Sequence, residues 1–257
     1  MKIQFQSDLH LEHYQDDITY QITETHADVI VLAGDIGASN SKTLDWLIQQ
    51  SAKKPIIFCL GNHEFYDDEY HRVLDFWRSA LISSDVFFLQ DDQLIIDDTL
   101  FIGATLWTDY AIKGADKKKA VMTESARRMN DHYHIHMQKN GQQCLFQTKD
   151  ALTIHQQSLG FIRQSLDKSL QQKKVVITHH APSLQSIPAQ YQQQLLCGAF
   201  ASDLEALIRK YQPHCWIHGH LHNSSSYKVG NTHILANPKG GITDANPEFN
   251  PQAIINL

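Results

Sequence analysis

The stretch "KKVVITHHAP", residues 173–182, places two adjacent histidines after a short run of β-branched residues and just before a proline. Such a run is typical of a buried strand, in which successive side chains point to opposite faces of the sheet. Inside the strand, one imidazole of the pair would face the apolar core, which is costly without a hydrogen-bond partner. We therefore expect both histidines to lie at the carboxyl end of the strand, next to other polar groups.

Four further runs of the same kind occur along the chain, and each also ends in a polar cluster. The runs are four to six residues long, rich in Val and Ile, and bounded by Gly, Pro, Asp or Asn, as buried strands are. They are "KIQFQSDLH" (2–10), "ADVIVLAGD" (27–35), "KPIIFCLGNHE" (54–64) and "HCWIHGHLH" (214–222). Helical patterns over 41–54 and 69–82 separate several of them, which predicts parallel βαβ units.

Two other segments have the pattern of antiparallel strands. Residues 86–107, "VFFLQDDQLIIDDTLFIGATLW", predict a three-stranded meander with turns at "QDD" and "DD". The tail adds a hairpin signal at 230–231 and a last short strand in "QAIINL", 252–257. These strands predict a second, more antiparallel sheet that packs on the first. Residues at about 108–150 are polar and irregular, and they predict an inserted helical cap within a single domain of residues 1–257.

The bulk composition limits the classes of function. The 257 residues carry 22 Lys and Arg against 28 Asp and Glu, a formal net charge of −6, which does not favour a protein that coats nucleic acid. The four cysteines show no CxxC spacing, so we expect reduced thiols rather than disulfides or zinc knuckles. The chain begins with a strand pattern and has no signal-peptide core or long apolar span. We therefore expect a cytoplasmic protein without membrane contact.

The polar residues that follow the five runs are predicted to meet in one place. In an open parallel sheet, the ligand site lies beyond the carboxyl ends of the strands. The residues delivered to that edge are Asp8, His10, Asp35, Asn62, His63, His179, His180, His218, His220 and His222. Residues spaced i, i+2 in an extended segment face the same way, so the pairs in "DLH" and "HLH" could each bind a metal from one side. Oxygen ligands mixed with imidazole suit Mn, Fe, Co or Zn.

This ordered set of motifs resembles that of the calcineurin-like metallophosphoesterase superfamily. The pattern D-x-H, G-D, G-N-H-[E/D], H and G-H-x-H occurs complete, as "DLH" (8–10), "GD" (34–35), "GNHE" (61–64), His179 and "GHLH" (219–222). The resemblance covers residues 1 to about 240 and leaves the insertion at about 108–150 unexplained. It implies an α/β fold, a four-layer α/β/β/α sandwich with two mixed sheets, which agrees with the two strand patterns above.

The resemblance also implies a site with two divalent metal ions, which would be Mn, Fe, Zn or Co. One ion would be held by Asp8, His10, Asp35 and His222. The other would be held by Asp35, Asn62, His179 and His220, with Asp35 bridging the two. The implied activity is hydrolysis of a phosphomonoester or phosphodiester by a hydroxide that bridges the metals, with His63 assisting the leaving group. The substrate would be a phosphorylated small molecule.

Several neighbouring residues are candidates for supporting roles. We favour His179 over His180 as the ligand, because the family ligand is the first residue past the strand and adjacent strand residues diverge. Glu64 is expected to orient an imidazole, and His218 to be packed. The candidate substrate contacts are Arg127, Arg128, Asn130 and His180. The Arg and Asn residues could grip a second phosphate or an anionic tail, although an ordinary helix end explains this cluster equally well.

Two other functions are compatible with the same motifs. A nuclease of the same superfamily would be expected to have a basic surface with aromatic side chains among the basic ones, which the acidic composition does not favour. A binding scaffold that has lost its metals would be expected to lack some ligand positions, whereas every position is filled here. The phosphoesterase is therefore the favoured interpretation of the sequence.

Overall fold

The structure is a computed structural model that describes residues 1–14 and 17–257. The strands in these residues are β1 Lys2–Gln6, β2 Val29–Ala33, β3 Ile56–Cys59, β4 Val86–Phe88, β5 Asp92–Ile96, β6 Thr99–Ala104, β7 His136–Lys139, β8 Gln142–Leu145, β9 Lys173–Thr178, β10 Cys215–His218, β11 Ser225–Val229, β12 Thr232–Ala236 and β13 Ile254–Asn256. The α-helices are α1 Ser41–Ser51, α2 Tyr70–Ala80, α3 Lys118–Arg128, α4 Asp131–His134, α5 Thr148–Lys168 and α6 Glu205–Tyr211. Helices α1 and α2 separate β2, β3 and β4, as the predicted βαβ units require.

The strands form two large mixed sheets. The first sheet has the order β13-β1-β2-β3-β4, in which β1 to β4 are parallel and β13 is antiparallel to β1. The second has the order β11-β12-β10-β9-β6-β5, in which the four central strands are parallel and both edge strands are antiparallel. The prediction of two mixed sheets is therefore confirmed.

The alternation of side chains along the strands builds a core on both faces of each sheet. In β2, Val29, Val31 and Ala33 belong to the core between the two sheets. Ile30 and Leu32 of the same strand pack instead with apolar side chains of α1 and α2. Side chains of α5 and α6 cover the outer face of the second sheet. The order helices, sheet, sheet, helices is the predicted four-layer sandwich.

Two predictions about strand partners are wrong. The five runs that end in polar clusters do not share one sheet, because β1, β2 and β3 lie in the first sheet and β9 and β10 in the second. The predicted three-stranded meander does not form either, since β4 pairs in parallel with β3 and only β5 and β6 form a hairpin. Helix α2 connects β3 to β4, so both strands run in the same direction. A local alternation pattern does not reveal this connection.

The segment between β6 and α5 contains two helices and a hairpin. Helices α3 and α4 agree with the predicted helical cap, whereas β7 and β8 form an antiparallel pair that the prediction missed. The turn of this pair is Asn140-Gly141, with φ values of 52° and 76°. Two positive φ angles are the requirement of the tight hairpin turn that Asn-Gly favours. The pair "NG" was therefore the sequence signal for this hairpin.

Helix α5 leads the chain back from this segment to the second sheet. It spans 21 residues, and its amino terminus has a capping box formed by Gln147 and Asp150. Ile162 and Leu166 in its second half pack on the outer face of the second sheet. In the part of the chain that the structure describes, no helix is both long and apolar enough to cross a membrane.

Candidate metal centre

Polar side chains from both sheets meet at the carboxyl ends of five strands. The first sheet contributes the loops after β1, β2 and β3, and the second contributes those after β9 and β10. The two sets are in direct contact, because the backbone N–H of His220 donates to both carboxylate oxygens of Asp8, at 3.0 and 3.1 Å. The residues gathered at this seam are Asp8, His10, Asp35, Asn62, His63, His179, His220 and His222.

Five of these residues have a left-handed backbone. Their φ values lie between 48° and 72°, and they are Asp8, His10, Asp35, His220 and His222. Positive φ is uncommon outside glycine, costs about 1–3 kcal/mol per residue, and clusters at functional sites where the surrounding structure enforces it. The extended i, i+2 geometry predicted for "DLH" and "HLH" is therefore wrong. Both segments turn tightly, and Asp8 and His10 enter the same cluster of ligand atoms, whereas His220 and His222 enter different clusters.

Two glycines of the motifs are required because carboxylates pack directly against them. A Cβ atom at Gly61 would collide with the carboxylate and backbone nitrogen of Asp35. A Cβ atom at Gly219 would collide in the same way with the carboxylate of Asp8. The glycine in "GNHE" and the glycine in "GHLH" thus let each acidic side chain lie against the neighbouring loop.

The first cluster of ligand atoms comes from Asp8, His10, Asp35 and His222, all within 4.8 Å of one another. His222 Nε2 lies 3.4 Å from Asp8 Oδ1. His10 Nε2 lies 4.0 Å from Asp35 Oδ2. The Nε2 atoms of His10 and His222 are only 2.9 Å apart. These four residues are the set predicted for one of the two metal ions.

The second cluster shares Asp35 with the first and adds His179 and His220. His179 Nε2 is 3.2 Å from Asp35 Oδ2 and 3.0 Å from Asn62 Oδ1. Among the described residues, the buried His220 Nε2 has no hydrogen-bond partner. A buried imidazole nitrogen without a partner is costly. An ion at this cluster would use that nitrogen as a ligand.

The hydrogen bonds made by the Nδ1 atoms of the histidines test whether these residues suit a metal that would bind at Nε2. His10 Nδ1 donates to Glu12 at 2.9 Å, and His222 Nδ1 donates to Asp244 at 2.6 Å. His179 Nδ1 donates to a backbone carbonyl at 2.9 Å. Such partners are usual for metal-binding histidines and leave the Nε2 lone pair free to bind. Because the facing Nε2 atoms of His10 and His222 need a proton or a metal ion between them at 2.9 Å, the donor set fits divalent ions.

The charges of the site favour bound cations. Burial disfavours the charged form of Asp35, but the imidazoles of His179 and His63 outweigh it and hold the pKa of Asp35 well below its usual value. Burial likewise lowers the pKa of His179, yet the carboxylate of Asp35 raises it overall to about 9. The pKa of His222 is also raised to about 9, because its hydrogen bond and charge interaction with Asp8 outweigh burial. Without metal ions, protons bound to the imidazoles therefore balance the negative charge of the carboxylates.

His63 lies beside the two clusters and faces the cleft, with 27% of its side chain exposed. Its Nδ1 is 2.9 Å from Glu12 Oε1, and its Nε2 is 4.0 Å from Asp35 Oδ2. The ring stacks on Tyr66, with 4.3 Å between the centroids. Burial lowers the pKa of His63, but Asp35 and Glu12 outweigh it and raise it to about 9. Without bound metal, the imidazole is thus protonated at neutral pH and lies at the wall of the cleft.

Sequence reasoning missed the residues that hold these side chains in place. One oxygen of Glu12 accepts from both His10 and His63, and the carboxylate of Asp131 accepts from Asn62 Nδ2 and Tyr66 OH. The signal for Glu12 was its position two residues after "DLH". Asp131 lies in the inserted segment, and no local pattern connects it with "GNHE".

Glu64 has a different role from the one predicted. Its carboxylate accepts from the backbone N–H groups of Asp35, Ile36 and Gly61, at 3.1, 2.6 and 2.7 Å, and it does not orient an imidazole. It therefore fixes the loop after β2 against the loop after β3. His218 is buried, as predicted, with its Nε2 2.8 Å from Ser186 Oγ.

A cleft of about 290 Å³ opens above the clusters. Arg128 and Asn130 line it on the side of α3 and α4, as a substrate contact requires. Arg127 is exposed and does not line the cleft. His180 is fully buried, with its Nδ1 3.3 Å from a backbone carbonyl and its ring tilted against Trp107. The structure thus brings two of the four predicted substrate contacts to the cleft.

The two mixed sheets, with an Asp/His cluster at the seam between them, define a metallophosphoesterase-type sandwich. A family model described as calcineurin-like phosphoesterase matches residues 1–224, and the chain belongs to that family, whose members usually bind divalent metals. No curated protein has a significantly similar sequence.

Two solved structures show the same fold at low sequence identity. Phosphopantetheinyl hydrolase from Mycobacterium tuberculosis has a TM-score of 0.72 and 16% identity, over 95% of this chain and 90% of its own. A Staphylococcus aureus protein classed as a 5′-nucleotidase, solved with α-ketoglutarate, has a TM-score of 0.50 and 15% identity. That match covers 93% of this chain and 49% of the other. At these identities the likeness shows the fold alone.

Proposed function

We propose that this chain hydrolyses a phosphomonoester or phosphodiester of a small molecule with the help of two divalent metal ions. Asp8, His10, Asp35 and His222 would hold one ion, and Asp35, Asn62, His179 and His220 would hold the other. The observation that carries the proposal is the position of Asp35, whose carboxylate belongs to both clusters of ligand atoms. A shared carboxylate between two metal sites is the arrangement that dinuclear phosphoester hydrolysis uses.

When bound, the metals would lower the pKa of a water molecule and neutralise charge on the phosphoryl oxygens. The hydrolysis breaks the P–O bond to the alcohol and forms a P–O bond to the oxygen of water. The leaving alkoxide takes a proton, which His63 Nε2 is placed to donate from the wall of the cleft. Glu12 keeps that proton available, because its hydrogen bond at Nδ1 orients the ring and raises its pKa.

The comparisons support a small phosphorylated substrate. The family is named for phosphoesterase activity, and the similar structures include a phosphopantetheinyl hydrolase and a 5′-nucleotidase. The cleft agrees with this, since Arg128 and Asn130 offer an anion a guanidinium and an amide beside the clusters. We propose that these two residues contact the part of the substrate that extends from the phosphoryl group.

The test uses the metal-stripped protein, reloaded in turn with Mn²⁺, Co²⁺, Zn²⁺ or Fe²⁺. We expect release of p-nitrophenol from p-nitrophenyl phosphate or from bis(p-nitrophenyl) phosphate with at least one metal. Asp35→Asn should lose bound metal and activity together, whereas His63→Gln should keep the metal and lower kcat by about 10²–10⁴-fold. Arg127→Ala is the matched control, because Arg127 lies outside the cleft. A chain that binds no metal and cleaves neither ester with any of the four would refute the proposal.

A further inference from the structure

A second pocket lies next to the metal cleft and is apolar. Its volume is about 240 Å³, and it is formed by the segment that follows β9. The apolar side chains that line it are Ile187, Pro188, Tyr191, Leu196, Phe200 and Leu221. Among the described residues that line it, none carries a carboxylate, an ammonium, a guanidinium or an imidazole. The adjoining cleft, in contrast, is lined mainly by charged and polar side chains.

The two cavities share walls. Phe200 and Leu221 line both the metal cleft and the apolar pocket. The ring of Phe200 lies against that of His220, with 4.8 Å between the centroids. Leu221 stands in the sequence between His220 and His222. A molecule held by the metal clusters is therefore one side chain away from the apolar pocket.

The pocket is preformed by buried and hydrogen-bonded residues. Its floor contains Ile187 and Cys197, which are almost completely buried. Gln192 Nε2 donates to the backbone carbonyl of Ile187 at 2.8 Å, and Thr108 Oγ1 donates to that of Gly198 at 2.6 Å. The segment leaves apolar surface in water, since Tyr191 is 49% exposed. A preformed apolar cavity with a few polar groups nearby is typical of a small-molecule site.

We propose that this pocket binds an apolar chain or ring in the organic part of the substrate, while the phosphoryl group lies over the two metal clusters. The proposal rests on the proposed function and narrows its substrate class to phosphoesters of amphiphilic alcohols. The occupant we assign is part of the substrate, because Phe200 and Leu221 form walls of both the pocket and the phosphoester cleft. Arg128 and Asn130, on the side of α3 and α4, remain available for polar groups of the same molecule.

The experiment measures binding and turnover against chain length. The Kd of n-alkyl phosphonates from methyl to octyl is measured by calorimetry with the Mn²⁺-loaded protein, because phosphonates carry a similar anion and are not hydrolysed. The release of inorganic phosphate from the matching n-alkyl phosphates gives kcat/KM. We expect affinity and kcat/KM to rise about two- to fourfold per added methylene until the pocket is full.

Two neighbouring leucines provide matched variants. Leu196 lines the pocket, whereas Leu195 is exposed in the same turn and does not line it. Leu196→Ala should flatten the dependence of Kd on chain length, and Leu195→Ala should keep it. Because Leu196 also packs against the core, Tyr191→Ala is the second variant, at a half-exposed position that tolerates truncation. It should flatten the dependence as well.

The outcomes separate the two proposals. A Kd that does not change from methyl to octyl phosphonate, or no binding of octyl phosphonate at all, overturns the apolar subsite even if the short esters are hydrolysed. The subsite is also overturned if Kd depends equally on alkyl length in Leu196→Ala, Tyr191→Ala and Leu195→Ala, because the alkyl chain then binds elsewhere. A slope that Leu196→Ala and Tyr191→Ala reduce, in a protein that hydrolyses no ester with any of the four metals, supports the subsite and counts only against the proposed function.

Discussion

One oxygen of Glu12 holds two imidazoles, those of His10 and His63. A glutamine at this position keeps one acceptor oxygen but loses the negative charge that raises the pKa of His63. We expect Glu12→Gln to lower kcat by about 10–100-fold. Since the role proposed for His63 is that of an acid, a lower pKa should also move the alkaline limb of the kcat–pH profile to lower pH. Glu24→Gln, at an exposed position, is the control, and an unchanged alkaline limb in Glu12→Gln would contradict this role.

Gly61 packs against Asp35 without room for a Cβ atom. Gly61→Ala should therefore lower the free energy of unfolding by about 1–3 kcal/mol and displace the carboxylate that both clusters share. Gly160→Ala is the matched control, because nothing lies within 4 Å of a Cβ added there and alanine favours the interior of α5 by about 0.5–1 kcal/mol. Urea unfolding measures the change in stability, and metal analysis measures the effect of the displaced carboxylate. Full metal content in Gly61→Ala would contradict the predicted displacement.

Some residues of the site could be predicted from the sequence, and others could not. The candidate ligands were predictable because their residue types and order are those of a known family. Glu12 and Asp131 were not, because their importance comes from hydrogen bonds to Asn62 and His63 that only the folded chain creates. The left-handed backbone of Asp8 was likewise unpredictable, since Asp is common in many conformations.

At the scale of elements, Glu64 joins two loops through three backbone N–H groups. Glu64→Gln places an amide N–H₂ against these donors, and a buried donor without an acceptor costs about 1–3 kcal/mol. We expect a loss of this size in urea unfolding, together with weaker metal binding, because the loop carrying Asp35 is no longer fixed. Glu248→Gln, on the surface, should change neither quantity, and a Glu64→Gln protein with the stability of the parent would argue against this bracing role.

Most strands and helices were predictable from local patterns, but their partners were not. Uninterrupted apolar runs located β2, β3 and β9, because each of these strands is buried on both faces. Such runs carry no information about which strand pairs with which, so the division of the five runs between two sheets appeared only in the structure. The hairpin of β7 and β8 has no buried residue in either strand, and its weak alternation left the "NG" turn as its main sequence signal.

At the scale of the whole molecule, the metal-free protein should be sensitive to alkali. The pKa values of His63, His179 and His222 are each raised to about 9 in the folded state. A raised pKa contributes stability that is complete below the unfolded value near 6.5 and is lost as the pH passes through 9. We expect the free energy of unfolding of the chelator-treated protein to fall between pH 6.5 and 9. Thermal unfolding across this range measures it.

Metal ions should reverse this dependence, because they replace the protons between the carboxylates and imidazoles. A metal at 100 times its Kd stabilises the folded state by about 2.7 kcal/mol, so Tm at pH 9 should rise when Mn²⁺ is added. The double variant His179→Ala/His222→Ala is the control, since it lacks a ligand in each cluster. A metal-free protein that is equally stable at pH 6.5 and pH 9 would contradict the assignment of these charges.

The candidate ligands extend from Asp8 to His222, and each cluster takes side chains from both sheets. During synthesis, a growing chain carries neither complete cluster until the ribosome has translated well past residue 220. Early metal capture by such a partial chain would therefore involve too few ligands to be tight. The order of the motifs would thus delay tight metal binding until the chain has closed both sheets against each other.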